Sequence, residues 1–264
     1  MKALIDGDIP VYTECASTMK RGNPFGAYVA NIPELTAQVI DVIDRWTEEA
    51  GADHTIFVHG HQSRRNYRKA LLPDQYKAGR SEKPDGYSEV LEAVIAHYDS
   101  FAIDGVEGDD TLGILHTSEE FGETVVVSTD KDMRTVPGWL YNPMKMLERE
   151  WITPNHAHHF RYWQVLVGDS ADGYKGCPKI GAVKAGKILG DHVDEEPRPE
   201  VYESMLWKKV YATYCERWPG SDAEALDAAV MQMRMARILH RDDYDRRHGR
   251  IRLWHPDSPV WVDL

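Results

Sequence analysis

Residues 124–132 read TVVVSTDKD. Thr124 to Ser128 is a continuous β-branched run with no polar alternation, the pattern of a strand covered on both faces in a parallel sheet. It ends in Thr129-Asp130-Lys131-Asp132. Side chains at i and i+2 of an extended segment point the same way, so Asp130 and Asp132 aim two carboxylates at one place. Open α/β sheets put their chemistry at the carboxyl ends of their strands.

The same grammar recurs upstream. Ala3-Leu4-Ile5 is a short apolar strand that ends in Asp6-Gly7-Asp8. Residues 33–50 predict a helix with Pro33 in its first turn, Gly51 as its stop, and Leu35, Val39, Ile40, Ile43 and Trp46 on one face. Thr55 to Val58 predicts a second buried strand, ending at His59-Gly60. Residues 61–86 are polar and basic without an apolar period, a long excursion before a helix over 87–98. Phe101 to Ile103 predicts a third strand, and Glu107-Gly-Asp109-Asp110 opens a helix to about His116, its carboxylates where the dipole favours them.

Downstream the signals become mostly helical. Thr153-Pro154 caps a helix to Val167, and Ser221 to Glu224 is a capping box opening a helix to His240. Residues 195–199 (EEPRP) read as a loop, and residues 251–254 and 260–262 as short closing strands. No repeat or low-complexity segment is present. Between the helices lies WQVLVGDSADGYKGCPKIGAVKAGKILG (163–190), where Asp169 and Asp172 precede a turn rich in glycine and lysine. Carboxylates hold hard cations, and backbone N–H groups at a helix start hold anions. The pair predicts a metal held against a phosphodiester.

The chain has 264 residues and a net charge of −12. The length suffices for one large domain or two modest ones. No apolar run approaches the roughly 20 residues of a membrane span. MKALIDGD predicts a buried strand from the outset, with no signal peptide expected, and Cys15, Cys177 and Cys215 form no CxxC pair. The expectation is a reducing cytoplasm, that of a host cell if the chain is phage-encoded, and no zinc knuckle. The acidic balance argues against nucleic acid globally, but basic clusters at Arg64-Arg65, Arg68-Lys69, 77–80 and 175–187 matter more locally.

Four acidic clusters thus fall at four element ends: Asp6/Asp8, Glu107/Asp109/Asp110, Asp130/Asp132 and Asp169/Asp172. One Asp after a strand is more often a turn or N-cap residue. Four such clusters are not so explained, and their convergence would demand cations. Two divalent ions about 4 Å apart would clamp the attacking and leaving oxygens of a phosphodiester, and Mg²⁺ suits oxygen ligands and phosphate. His156, His158 and His159 are read as surface or core-edge residues. On a helix, i, i+2 and i+3 do not share one face, so zinc is not expected there.

These motifs resemble the 5′-nuclease family of flap endonucleases and 5′→3′ exonucleases, most closely its bacteriophage type. LIDGD, YKAGR (76–80), EGDD (107–110), STDKD (128–132) and GDSADGYKGCPKIG (168–181) appear in family order, and the tail MARILHRDDY (235–244) with RLWHP (252–256) is similar to phage exonucleases. The resemblance implies an α/β, PIN-like domain over 1–150, its central mostly parallel sheet flanked by helices, with an arch insert about 61–86. It implies a mainly helical DNA-binding region over 151–264 with a helix-three-turn-helix about 168–190.

For the site, the resemblance implies Asp6, Glu107 and Asp109 at a first Mg²⁺, with Asp110 beside them and Asp109 bridging. Asp130, Asp132 and Asp169 would hold a second, with Asp172 near it through water. Mn²⁺ is expected to substitute. Lys77 and Arg80 match the cationic pair of the arch helix that contacts the scissile phosphate; at i and i+3 they would share a helix face. Lys175, Gly176, Gly181, Lys184 and Lys187 match the duplex-gripping turn, often with a monovalent cation, K⁺. The expected partner is double-stranded DNA with 5′ ends or flaps; a monomer and replication proteins are expected alongside. One departure stands out: where the family has a metal-binding aspartate, residues 57–60 read FVHG. His59 either replaces it as a ligand or merely occupies the place, and imidazole suits Mn²⁺ better than Mg²⁺.

Three other readings compete with this one. A haloacid-dehalogenase-type phosphatase shares the Asp6/Asp8 pair and a later Gly-Asp, but gives no reason for Glu107/Asp109 or the glycine–lysine turn. A non-catalytic, structure-specific DNA-binding module would account for the missing aspartate. A PIN-type ribonuclease would lack the 176–187 turn.

Overall fold

The computed structural model describes residues 1–21, 31–63, 65–79, 81–194 and 196–264, with residues 18–21 described by backbone alone. Arg64, Arg80 and Glu195 lie outside the described residues. The elements run β1 (Lys2–Asp6), α1 (Asp8–Arg21), α2 (Ile32–Glu49), β2 (His54–Val58), α3 (Tyr67–Leu71), α4 (Tyr87–His97), β3 (Asp99–Phe101), α5 (Gly108–His116), β4 (Thr124–Val127), β5 (Gly138–Tyr141) and β6 (Glu150–Ile152). There follow α6 (Pro154–Val167), α7 (Ala182–Leu189), α8 (Pro199–Arg217), α9 (Asp222–Ala236), β7 (Tyr244–Asp245), β8 (Arg250–Leu253) and β9 (Val260–Asp263). They form two compact units: Met1–Arg65, Arg80–Lys131 and Trp139–Glu150 make the first; Asn66–Gly79, Asp132–Gly138 and Trp151–Leu264 make the second.

The first unit is organised by a sheet of order β3-β2-β1-β4-β5-β6. β1 pairs in parallel with β2 and β4, β2 with β3, and β4 with β5. The chain thus steps outward through β2 and β3, then returns to the other side of β1. Strand order reverses between β1 and β4, the switch point at which such sheets open a crevice. Every residue of β4 is buried, as its unbroken apolar run requires. Ala3, Ile5, Phe57, Val125 and Val127 pack on one face against Val11 and Cys15 of α1, Leu35, Val39 and Ile43 of α2, and Val90 and Val94 of α4.

Two details differ from the sequence reading. The third strand spans Asp99–Phe101, two residues earlier than the apolar triplet suggests, because Asp99, Ser100 and Phe101 pair with Ile56, Phe57 and Val58. Register with β2 outweighs local apolarity at this edge. α1 has no clean apolar period and was not anticipated; Pro10 lies in its first turn, where the missing N–H is harmless.

The second unit packs α6, α7, α8 and α9 around Tyr162, Val165, Leu166, Leu206, Val210, Tyr214, Ala229 and Met233. Tyr76 joins that core, and the buried Arg68 guanidinium donates to the carbonyls of Met235 (3.1 Å) and Arg237 (2.6 Å). This capture ends α9 at Ala236 rather than at His240. Arg237 turns extended and pairs with Asp243 at 2.7 Å. β7, β8 and β9 form a small antiparallel sheet. Among the described residues no helix is long and apolar enough to cross a membrane.

Candidate functional site

In the first unit the acidic residues gather at the carboxyl edge, on either side of the switch point. Asp6 is the last residue of β1 and is buried. Its Oδ2 accepts the Ser128 hydroxyl at 2.7 Å, and the Ser128 Oγ accepts the Asp130 N–H at 3.0 Å. One hydroxyl at the end of β4 therefore fixes one carboxylate and the backbone of another. Gly7 is dictated by contact: a Cβ there would lie 2.3 Å from the Phe57 ring. The Gly7 N–H donates to the Val58 carbonyl at 2.8 Å, which holds the β1–α1 turn beside β2.

Asp8 opens α1, and the Tyr87 hydroxyl donates to its Oδ1 at 2.5 Å. Burial, followed by the charges of Asp8 and Asp6, pushes the Tyr87 phenol far above its ordinary range, so it remains a donor. Glu107 is the N-cap of α5, with Asp109 in the first turn. Asp110 is fully buried, and one of its oxygens accepts the Glu107 N–H at 3.2 Å. Asp110 thus sets the entry of the helix as well as adding a carboxylate.

His59 follows β2 and is buried. Its Nδ1 lies 3.0 Å from the Gly60 carbonyl, which can only accept. In that contact Nδ1 is the donor, which fixes the orientation of the ring.

The second unit holds the remaining carboxylates. The Gln164 amide of α6 donates to Asp132 Oδ1 at 2.7 Å. Asp169 directs a turn: its carbonyl accepts from Gly173 (2.9 Å) and Tyr174 (3.0 Å), and its Oδ1 accepts from the N–H of Ala171 (2.8 Å) and Asp172 (3.3 Å). The Tyr174 phenol is raised far above its usual range by burial first, then by the charges of Asp132, Asp169 and Asp172. All three carboxylates therefore act on one buried phenol.

Lys77 lies against the same turn. Its N–H donates to the Asp172 carbonyl at 3.0 Å, and its Nζ is 3.8 Å from Asp172 Oδ1. It does not lie on a helix, contrary to the sequence reading. α3 stops at Leu71, Leu72 leaves the helical region ahead of Pro73 (φ −132°, ψ 70°), and Lys77 adopts a left-handed φ of 53°. The i, i+3 argument for Lys77 and Arg80 fails with it, and Arg80 lies outside the described residues. Gly173 makes the approach feasible, since a Cβ there would lie 2.1 Å from the Gln75 carbonyl.

The glycine–lysine turn divides into an inner and an outer part. Gly168 and Gly176, both at positive φ, cross so closely that a Cβ on Gly176 would meet the Gly168 nitrogen at 2.4 Å. Gly176 is buried and gives its N–H to Gln232 Oε1 at 2.7 Å, so that donor already has a partner within the protein. Gly181 is the N-cap of α7 without a side-chain cap, and open space surrounds its Cα. Lys175, Lys184 and Lys187 are exposed around that helix start. Lys184 Nζ donates to the Lys179 carbonyl at 3.0 Å.

Sequence reasoning missed the side chains that hold these groups. Ser128, Tyr87 and Gln164 are ordinary residues until the fold brings them to Asp6, Asp8 and Asp132. It also passed over Asp104, whose carboxylate accepts from Arg65 and Ser63 and lies 3.3 Å from His61 Nδ1. These bonds drive its pKa well below the carboxylate range and tie His61, Ser63 and Arg65 to the loop before Glu107.

Comparison with known proteins shows the family. Residues 3–154 match the family described as 5′-3′ exonuclease, N-terminal resolvase-like domain. The chain is 31% identical over 219 residues to an exodeoxyribonuclease of Enterobacteria phage T3, covering 73% of this chain and 71% of the relative. It is 30% identical over 223 residues to an exonuclease of Escherichia phage T7, covering 72% and 71%. A bacteriophage T5 flap endonuclease, solved as a pseudo-enzyme-product complex with DNA and metal ions, shares the fold with a TM-score of 0.51 at 15% identity, over 88% of this chain and 98% of its own. With that domain matched over more than half of its sequence and two phage exonucleases related along most of its length, the chain is an enzyme of the 5′-3′ exonuclease family.

Proposed function

We propose that the chain hydrolyses DNA from 5′ ends and 5′ flaps, using two divalent ions. The observation that supports this best is the Asp6–Ser128–Asp130 link across the strand switch, where one hydroxyl fixes a buried carboxylate and the backbone of a second acidic residue. The donor set fits hard cations: carboxylate oxygens throughout, with only His59 offering nitrogen. In this reading Asp6, Glu107 and Asp109 hold the first ion, with Asp110 beside them. Asp130, Asp132 and Asp169 hold the second, with Asp172 reaching it through water. When bound, Mg²⁺ or Mn²⁺ would activate water and stabilise the leaving oxygen.

The chain's own groups do the rest. Ser128, Gln164 and the Asp169 turn fix the carboxylates in advance. Lys77 places its ammonium beside Asp172, where it would offset charge on the scissile phosphate. The α7 start, with Lys175, Lys184 and Lys187, would grip the uncleaved duplex through phosphates, with K⁺ at the turn, giving position without sequence information. The enzyme acts as a monomer and in company with replication proteins in the cytoplasm of a host cell. His59 Nε2 stands in for the family's carboxylate and favours Mn²⁺.

The test uses 5′-end-labelled duplex and flap substrates with Mg²⁺, Mn²⁺ or EDTA, comparing wild type with His59→Asp. Cleavage in both metals, none in EDTA, and a shift of the Mg²⁺ to Mn²⁺ rate ratio by about 10-fold toward Mg²⁺ in His59→Asp are expected. Turnover of para-nitrophenyl phosphate with intact DNA would contradict the reading.

A further inference from the structure

The histidines of α6, set aside by helix spacing, acquire a partner from another part of the chain. His158 turns inward: its Nδ1 lies 2.6 Å from the Arg161 guanidinium and 3.7 Å from Glu203. His156 turns to the loop after α7. Its ring centroid is 4.7 Å from that of His192, and one donor atom each from His156, His192 and Asp194 lie within 4.8 Å of one another.

We propose that His156, His192 and Asp194 form a binding site for a divalent transition metal of the zinc class. Two imidazoles and a carboxylate, with a fourth position open to water, form a donor set typical of zinc, whereas Mg²⁺ prefers oxygen alone. Tetrahedral zinc with Zn–N near 2.0–2.1 Å needs donors about 3.3 Å apart. His192 Nε2 and Asp194 Oδ1 are already at 3.8 Å. Both belong to exposed residues of the loop, so a small inward movement completes the set.

The neighbours are arranged to support it. The Thr153 hydroxyl donates to Asp194 Oδ1 at 2.8 Å, and Thr153 Oγ1 also accepts the His156 N–H at 3.1 Å. The N-cap of α6 thus orients both the carboxylate and the turn that carries His156, as outer partners of metal ligands do. His159, one turn along, gives its Nε2 proton to the Gly190 carbonyl at 2.8 Å. That bond pins the root of the loop at the C-terminal end of α7. An ion here would staple the loop to α6 and steady α7 from behind. The site shares no residue with the carboxylate set, and it stands whether or not the nuclease reading holds.

The test is a zinc titration of the tag-free full chain in competition with a chromophoric chelator, comparing wild type, His156→Ala, His192→Ala and Asp169→Asn. Wild type and Asp169→Asn are expected to share a tight equivalent that excess Mg²⁺ does not displace. It should weaken by about 100-fold or more in each histidine variant, which lacks one of three protein ligands. In parallel melts, zinc should raise the midpoint of wild type and not that of His192→Ala, while the metal-free midpoints agree. Equal zinc binding by wild type and both histidine variants would overturn the assignment. So would loss of the tight equivalent in Asp169→Asn alone.

Discussion

Lys77 and Asp172 are joined twice, by a backbone hydrogen bond of 3.0 Å and by an ammonium–carboxylate approach of 3.8 Å. The Lys77 side chain is almost wholly buried, and its backbone takes a left-handed conformation that non-glycine residues rarely adopt. A lysine held this tightly beside an acidic turn is placed for a purpose other than solubility. Lys77→Ala should lower the single-turnover rate by about 10²-fold, with a smaller effect on substrate affinity. Rapid-quench cleavage beside equilibrium binding separates the two, and equal losses in both would mean that Lys77 only binds.

Ser128 is the second point of leverage, because one hydroxyl serves Asp6 and the backbone of Asp130. Ser128→Ala should raise the Mg²⁺ concentration for half-maximal activity by about 10-fold, the usual cost of losing an outer partner of a metal ligand. Metal-dependence curves at saturating DNA would show it. An unchanged curve would mean that Asp6 needs no such support.

His116 makes stability depend on pH. Its Nδ1 lies 2.7 Å from the Thr124 hydroxyl, and burial pushes its pKa down from 6.5 to about 4. The folded value lies below the unfolded one, so the neutral ring's contribution is complete above pH 6.5 and is lost as pH falls toward 4. The loss amounts to about 3 kcal/mol at most. Thermal melts from pH 7.5 to 4.5 should fall less steeply for His116→Gln than for wild type.

Much of this was legible because the informative residues are local. TVVV must be buried on both faces, and each acidic cluster lies at the end of its own strand or helix. What escaped is settled by distant partners. Asp99 and Ser100 are polar, and become strand only through pairing with Ile56 and Phe57. α9 loses its last turn because Arg68 takes the carbonyls of Met235 and Arg237. Pro73 cuts the expected helix short before Lys77. His156 was judged by its spacing from His158 and His159, and its partner is His192 on a different element. Ser128 carries no signal of its own role until β1 and β4 are known to be neighbours.

The central claim is the proposal that Asp130 and Asp169 are among the carboxylates that hold the ions for DNA cleavage. The most direct measurement is cleavage of a 5′-end-labelled flap duplex in Mg²⁺ by Asp130→Asn and by Asp169→Asn, with binding of the same DNA measured in Ca²⁺. Both variants should bind within about threefold of wild type, and each should cleave at least about 10³-fold more slowly, since a charged ligand is replaced by a neutral one of the same shape. Wild-type cleavage by either variant would contradict the account.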